Sequence, residues 1–131
     1  MLDDIYKTAV VGITDKYVNR ETDTPAIIIA KALFEAMKKK GWHEVRLIDA
    51  TGHPYNEANV AKDDFEKAAV KALLDGKDYY EQLVSVDGKQ RLRAATPVPV
   101  VMKKCTMCHD NYKEVKAGVA IGVLTYDVPV K

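Results

Sequence analysis

Tyr79-Tyr80-Glu81-Gln82-Leu83-Val84-Ser85-Val86-Asp87-Gly88-Lys89-Gln90-Arg91-Leu92-Arg93-Ala94-Ala95-Thr96 is the stretch that decides the fold. Its two arms, 79–86 and 89–96, are strand-like. Asp87-Gly88 between them is a strong two-residue turn, because both central positions of such a turn need positive φ. The segment predicts a β-hairpin and so an antiparallel sheet.

Two more strands flank the hairpin in sequence. A short one is expected over His43 to Asp49, where Val45 and Leu47 alternate with Glu44, Arg46 and Ile48. The last is expected over about Gly118 to Val128, through Val119, Ile121, Val123 and Leu124. Helices fill the remainder. Leu2, Ile5, Tyr6, Ala9, Ile13 and Tyr17 recur at helical spacing and predict a first helix over 3–18. Gly12 weakens it, and a strand over Thr8 to Ile13 competes. A second helix has Thr24 as N-cap, Pro25 at its first position and Gly41 as stop. Its apolar residues Ile28, Ile29, Ala32, Leu33, Ala36 and Met37 form a broad face, implying burial against a sheet or a partner subunit. A third helix begins near Asp63, with capping-box spacing to Glu66, and ends at Gly76; Phe65, Ala69, Ala72 and Leu73 form its stripe. Thr51 to Asn56 is loop, and Ala95 to Val101 connects the hairpin to the cysteine-bearing segment. The expectation is an α+β domain, one antiparallel sheet with flanking helices on one face. Two N-terminal helices lie within about 3–40 and the rest of the domain within about 42–129.

Composition fits a single globular domain of 131 residues. Twenty Lys plus Arg against 19 Asp plus Glu give a net charge of +1, so no overall field attracts nucleic acid or an anionic membrane. Lys38-Lys39-Lys40 reads as a solvated last helical turn. No apolar run approaches the roughly 20 residues of a membrane helix. Met1-Leu2-Asp3-Asp4 has no signal-peptide character.

The chemistry lies in Cys105-Thr106-Met107-Cys108-His109, the C-x-x-C-H spacing for covalent haem attachment. Two thiols at that spacing reach the two vinyl groups of one porphyrin and become thioethers. The following histidine then stands beneath the iron as proximal ligand. These are the only two cysteines in the chain, which strengthens the reading. A thioredoxin-like dithiol would need a buried parallel strand before the pair, and Pro99 disfavours one. Structural zinc usually needs a second pair of ligands, and only His43 and His53 remain. A plain disulfide is the last rival. One haem c, one-electron transfer or redox sensing is the leading expectation, with a redox partner protein. Binding of a diatomic gas (NO, CO or O2) at an open sixth iron position is the alternative; a non-haem dithiol or metal-binding protein is another. No constellation for an enzyme stands out. A homodimer or heterodimer is compatible with the apolar face of the second helix.

Arg91 and Arg93 are candidates to pair with the haem propionates, since guanidinium matches carboxylate geometry; the competing reading puts them on the solvent face of a strand. Lys103 and Lys104 lie next to the motif. Val84, Leu92, Ile121 and Val123 are expected to wall the haem. Met37 and His53 are candidate ligands opposite His109, though Met37 also reads as a core residue and His53 as a surface one. His43 reads as a surface residue. Met107 sits inside the attachment loop and cannot easily swing to the opposite face.

Tyr55-Asn56-x-x-Asn59, Asp64-Phe65-Glu66, Leu92-Arg93-Ala94-Ala95-Thr96-Pro97, the cysteine motif and Gly118-x-x-x-Gly122, in that order, resemble the single-haem c-type cytochrome domain with a PAS-like fold. That domain occurs as a standalone exported protein and as the sensor part of bacterial signalling proteins. The resemblance covers roughly residues 25–129. It implies a PAS-like antiparallel sheet with the haem held near its edge, a periplasmic or otherwise exported location with the export signal absent from this sequence, and a role in redox or gas sensing or electron transfer. Some members place a cysteine opposite the proximal histidine. This chain has none to place there.

Overall fold

A computed structural model describes residues 2–19, 26–100, 106 and 110–131. In chain order the elements are α1 (Leu2–Val18), α2 (Ala26–Lys39), β1 (Glu44–Asp49), a 3-10 turn (Glu57–Asn59), α3 (Asp64–Leu74), β2 (Tyr80–Val86), β3 (Lys89–Pro99), a second 3-10 turn (Asp110–Tyr112) and β4 (Ala120–Pro129). The four strands form one antiparallel sheet in the order β1-β4-β3-β2. The arrangement is α+β and PAS-like.

The hairpin forms as its turn residues require: Asp87 has φ +51° and Gly88 φ +74°. The helix runs through Gly12, and the competing strand does not form. The expected N-cap Thr24 and first-turn Pro25 lie outside the described residues. Asp63 caps α3, its carboxylate accepting from Glu66 N–H at 2.9 Å. The reciprocal half of the capping box is absent, because the Glu66 side chain turns inward instead.

Two expectations are corrected. β3 is longer than expected and continues through Pro97 to Pro99, where a register irregularity interrupts its pairing with β4. β2 stops level with Ala95, so beyond it one side of β3 is free. A missing N–H on a free side costs no ladder bond, which is why proline fits there. The helices also lie on both faces of the sheet rather than one. Phe65, Ala69 and Leu73 of α3 pack with Ile48, Ala95 and Val123 on one face. Tyr6, Ala30 and Phe34 of α1 and α2 pack with Val45, Leu124 and Tyr126 on the other. Adjacent β4 residues, Val123 and Leu124, serve opposite cores, as the two-residue period of a strand dictates.

Candidate functional site

One end of the sheet gathers the segments that matter. β3 delivers the chain there at Pro99, β4 starts back from it at Ala120, and β1 ends beside them, Asp49 pairing with Gly122. The loop carrying His53 leaves from the same place. Cys105, Cys108 and His109, with Lys103, Lys104 and Met107, lie outside the described residues. Thr106, between them, is described and helical. Gly122 permits the close approach of β1 and β4 at this end. A Cβ there would stand 3.2 Å from the Ile48 carbonyl oxygen and 3.5 Å from Leu47 Cδ1.

The loop after β1 is built from short polar turns. The Asp49 carboxylate accepts from the Thr51 hydroxyl and from Gly52 N–H, both at 2.8 Å. His53 N–H then donates to Thr51 Oγ1 at 3.2 Å, and the His53 side chain stands in solvent. Asn56 caps the following 3-10 turn, accepting from Ala58 N–H at 2.9 Å. Arg46 reaches across from β1 and donates to the carbonyls of Ala58 and Val60 at 3.2 and 3.3 Å. The same guanidinium donates to Glu66 at 2.5 Å, and Glu66 also accepts from Lys62 N–H at 2.7 Å. Glu66 is only 2% exposed, so it is a buried carboxylate with its acceptors filled. The sequence pointed to Glu66 as a capping residue and not to its pairing with Arg46. The signal was present: Glu66 stands three and seven residues before Ala69 and Leu73, on the buried face of α3.

Met37 is elsewhere. It packs at the margin of the α1–α2 core, and its neighbour Lys38 pairs with Glu44 at 3.1 Å. Glu44 is the first residue of β1, so Met37 lies toward the end of the sheet opposite Asp49. The structure therefore places His53, and not Met37, at the end where the motif segment leaves.

Arg91 and Arg93 lie on the α3 face, and each already holds a protein carboxylate. Arg91 Nε donates to Asp127 at 2.5 Å, and Arg93 donates to Asp63 at 2.8 Å while stacking 4.3 Å from the Phe65 ring centroid. Neither marks a bare solvent face; both are partly buried. The Arg93 guanidinium helps hold Asp63. Burial opposes the charged form of Asp63, but the Glu66 N–H and Arg93 outweigh it and keep the carboxyl below its ordinary range. The expected haem walls do not share a face. Val84 pairs with Arg91 on the α3 face and Val123 is buried there, whereas Leu92 points to the other side of the sheet.

His43 is not the surface residue expected. It is half-buried, and its Nε2 is hydrogen-bonded to the Tyr6 hydroxyl at 2.6 Å. Beside it, Asp3 accepts from Lys7 at 2.8 Å, from the Tyr126 hydroxyl at 2.9 Å and from the Thr96 hydroxyl. Burial works against the Asp3 charge, yet these donors together hold its carboxyl below the ordinary range. Burial first, and the Asp3 charge second, push the Tyr126 hydroxyl far above its usual value.

Among the described residues there is no cluster of three or more His, Cys, Asp or Glu able to hold a metal, and no helix long and apolar enough to cross a membrane. The family model described as Tll0287-like: Tll0287 matches residues 5–125 of the chain. Comparison with curated proteins gives no match.

Proposed function

The chain belongs to the Tll0287-like family, and on that footing we propose that it is a monohaem c-type cytochrome serving one-electron transfer or redox sensing. Membership itself supports a PAS-like redox or sensor domain. The observation that carries the finer reading is Cys105-Thr106-Met107-Cys108-His109, which holds both cysteines of the chain. A helical conformation at Thr106 suits a motif whose thiols stand three residues apart. When bound, the haem supplies a one-electron iron couple tuned by its axial ligands and by solvent access.

In this reading Cys105 and Cys108 carry the thioethers and His109 ligates the iron. Arg91 and Arg93, as propionate partners, have to share their guanidiniums with Asp127 and Asp63, which they already hold. His53 is the candidate sixth ligand on the appropriate end of the sheet; Met37 has to leave a core to serve. That last point favours a second reading, binding of NO, CO or O2 at an open iron. Thioether attachment takes place outside the bacterial cytoplasm, so an exported location and an external redox partner belong to the proposal.

The test is expression in a host that matures c-type haem, followed by denaturing electrophoresis with a haem stain. One covalent haem per chain is expected, lost in the Cys105→Ala/Cys108→Ala variant. His109→Ala should keep the covalent haem and lose the wild-type axial spectrum. A wild-type chain without covalent haem overturns the proposal.

A further inference from the structure

β1 and β2 are the two edges of the sheet, and they differ. No residue of β1 is exposed, and the loop after it lies against it, with Arg46 donating to the carbonyls of Ala58 and Val60. In β2 every residue but Tyr80 and Val84 is exposed, among them Leu83 at 56% and Val86 at 50%. Edge strands are ordinarily blunted by lysine, proline or a bulge. β2 has no lysine and no proline, and its register against β3 runs without a shift from Tyr80 to Val86. The other exposed apolar stripe, Ile28, Ile29 and Ala32 on the side of α2 turned from the sheet, offers a partner only side chains.

The outer edge of β2 offers backbone as well. Val86 and Lys89 flank the two-residue turn and so form a hydrogen-bonded pair. Alternation from there turns the N–H and C=O groups of Val84, Gln82 and Tyr80 toward β3. Those of Ser85, Leu83 and Glu81 point away from the sheet, and among the described residues no backbone group pairs with them. A row of donors and acceptors at that spacing is met by another extended strand.

We infer that this strand is β2 of a second copy of the chain, antiparallel, with the two-fold axis at Leu83. Across that axis Leu83 faces Leu83, Glu81 faces Ser85, Gln82 faces Val84 and Tyr80 faces Val86. The outward residues then form hydrogen-bonded pairs, about six N–H···O bonds in all. The exposed leucine is covered by its own copy, and the lone carboxylate meets a hydroxyl donor. Other registers are worse, because like charges directly opposite destabilise a strand pair. An axis at Glu81 sets two carboxylates face to face, an axis at Val84 sets Glu81 against Asp87, and an axis at Gln82 sets Glu81 against Leu83. The two four-stranded sheets become one, with α1 and α2 of both copies on one face and α3 of both on the other. Assembly stops at two copies, since the loop lies against β1 and Pro97 and Pro99 blunt the part of β3 that β2 leaves free. The inference does not depend on the haem reading.

The test is sedimentation velocity on the purified full chain over a series of concentrations. The contact is small for an interface, so the wild type should pass reversibly from monomer to dimer as concentration rises, and no further. Leu83→Lys sets two cations face to face on the axis, and Ser85→Glu sets a carboxylate opposite Glu81 on both sides of it. Each should raise the dissociation constant by about tenfold or more. Both positions are exposed, so circular dichroism and urea midpoints should match the wild type. Glu81→Lys/Ser85→Glu sets opposite charges across the axis and should bring the dimer back to wild-type affinity or beyond. A wild type that stays monomeric at millimolar concentration overturns the inference, as does one that grows past the dimer. A dimer that Leu83→Lys and Ser85→Glu leave intact lies elsewhere, with the α2 stripe the next place to look, and overturns it too. A double variant as weak as Ser85→Glu overturns the register, and the inference with it.

Discussion

Glu66 shows how one side chain can hold a loop in place. Its carboxylate joins β1, through Arg46, to the residue before the α3 cap, through Lys62 N–H. Breaking a buried pair strands its partner, which typically costs about 3–5 kcal/mol. Arg46 keeps some solvent and two carbonyl acceptors, so Glu66→Ala should fall near the low end, about 3 kcal/mol. Glu66→Gln, which keeps an acceptor for Lys62, should lose less. Urea midpoints of the two variants check this. Gly122 carries the other residue-scale prediction. Because the nearest atom to an added Cβ is a backbone oxygen, Gly122→Ala should destabilise by about 1–3 kcal/mol through overpacking, seen as a lower urea midpoint with an unchanged slope. At this scale the sequence disclosed types better than partners. Arg91 and Arg93 were visible as guanidiniums beside the motif. That Asp127 and Asp63 pair with them depends on contacts between strands and helices far apart in the chain, which local patterns do not carry.

α1 is held to the sheet by polar contacts as well as apolar ones. Asp3 binds Thr96 of β3 and Tyr126 of β4. Its pKa in the fold lies below the ordinary value of 3.8. The stabilisation is therefore complete above that value and is lost as pH falls through the lowered one. Asp63 follows the same sign. Asp3→Asn should be less stable than wild type at pH 7, and the gap should close as the medium is taken below about pH 4. Urea titrations at a series of pH values measure it. The edge of β3 makes a second element-scale prediction. Pro97 and Pro99 blunt a strand end that β2 leaves uncovered. Pro97→Thr/Pro99→Thr restores two N–H donors and should produce concentration-dependent oligomers on size-exclusion chromatography. The α2 stripe is the element whose pattern was most misleading: the period marks which residues are apolar, but not which of two apolar sides meets the sheet.

Across the whole molecule, the hairpin and the helix stops at Gly41 and Gly76 were legible because turn geometry is a local demand on φ. The placement of α3 opposite α1 and α2 was not, because β4 is apolar on both faces and its sequence favours neither. The order β1-β4-β3-β2 has a bearing on biogenesis. The last strand made is a central one, and it completes two of the three ladders. A chain that emerges N-terminus first can build its first helices and its hairpin, but it cannot close the sheet until Pro129 has appeared. Cys105 and Cys108 emerge earlier. At roughly 5–20 residues per second, the interval between Cys108 and Pro129 lasts on the order of a second or more. During that interval the segment between β3 and β4 belongs to a half-made sheet, which closes only when β4 pairs with β1 on one side and β3 on the other.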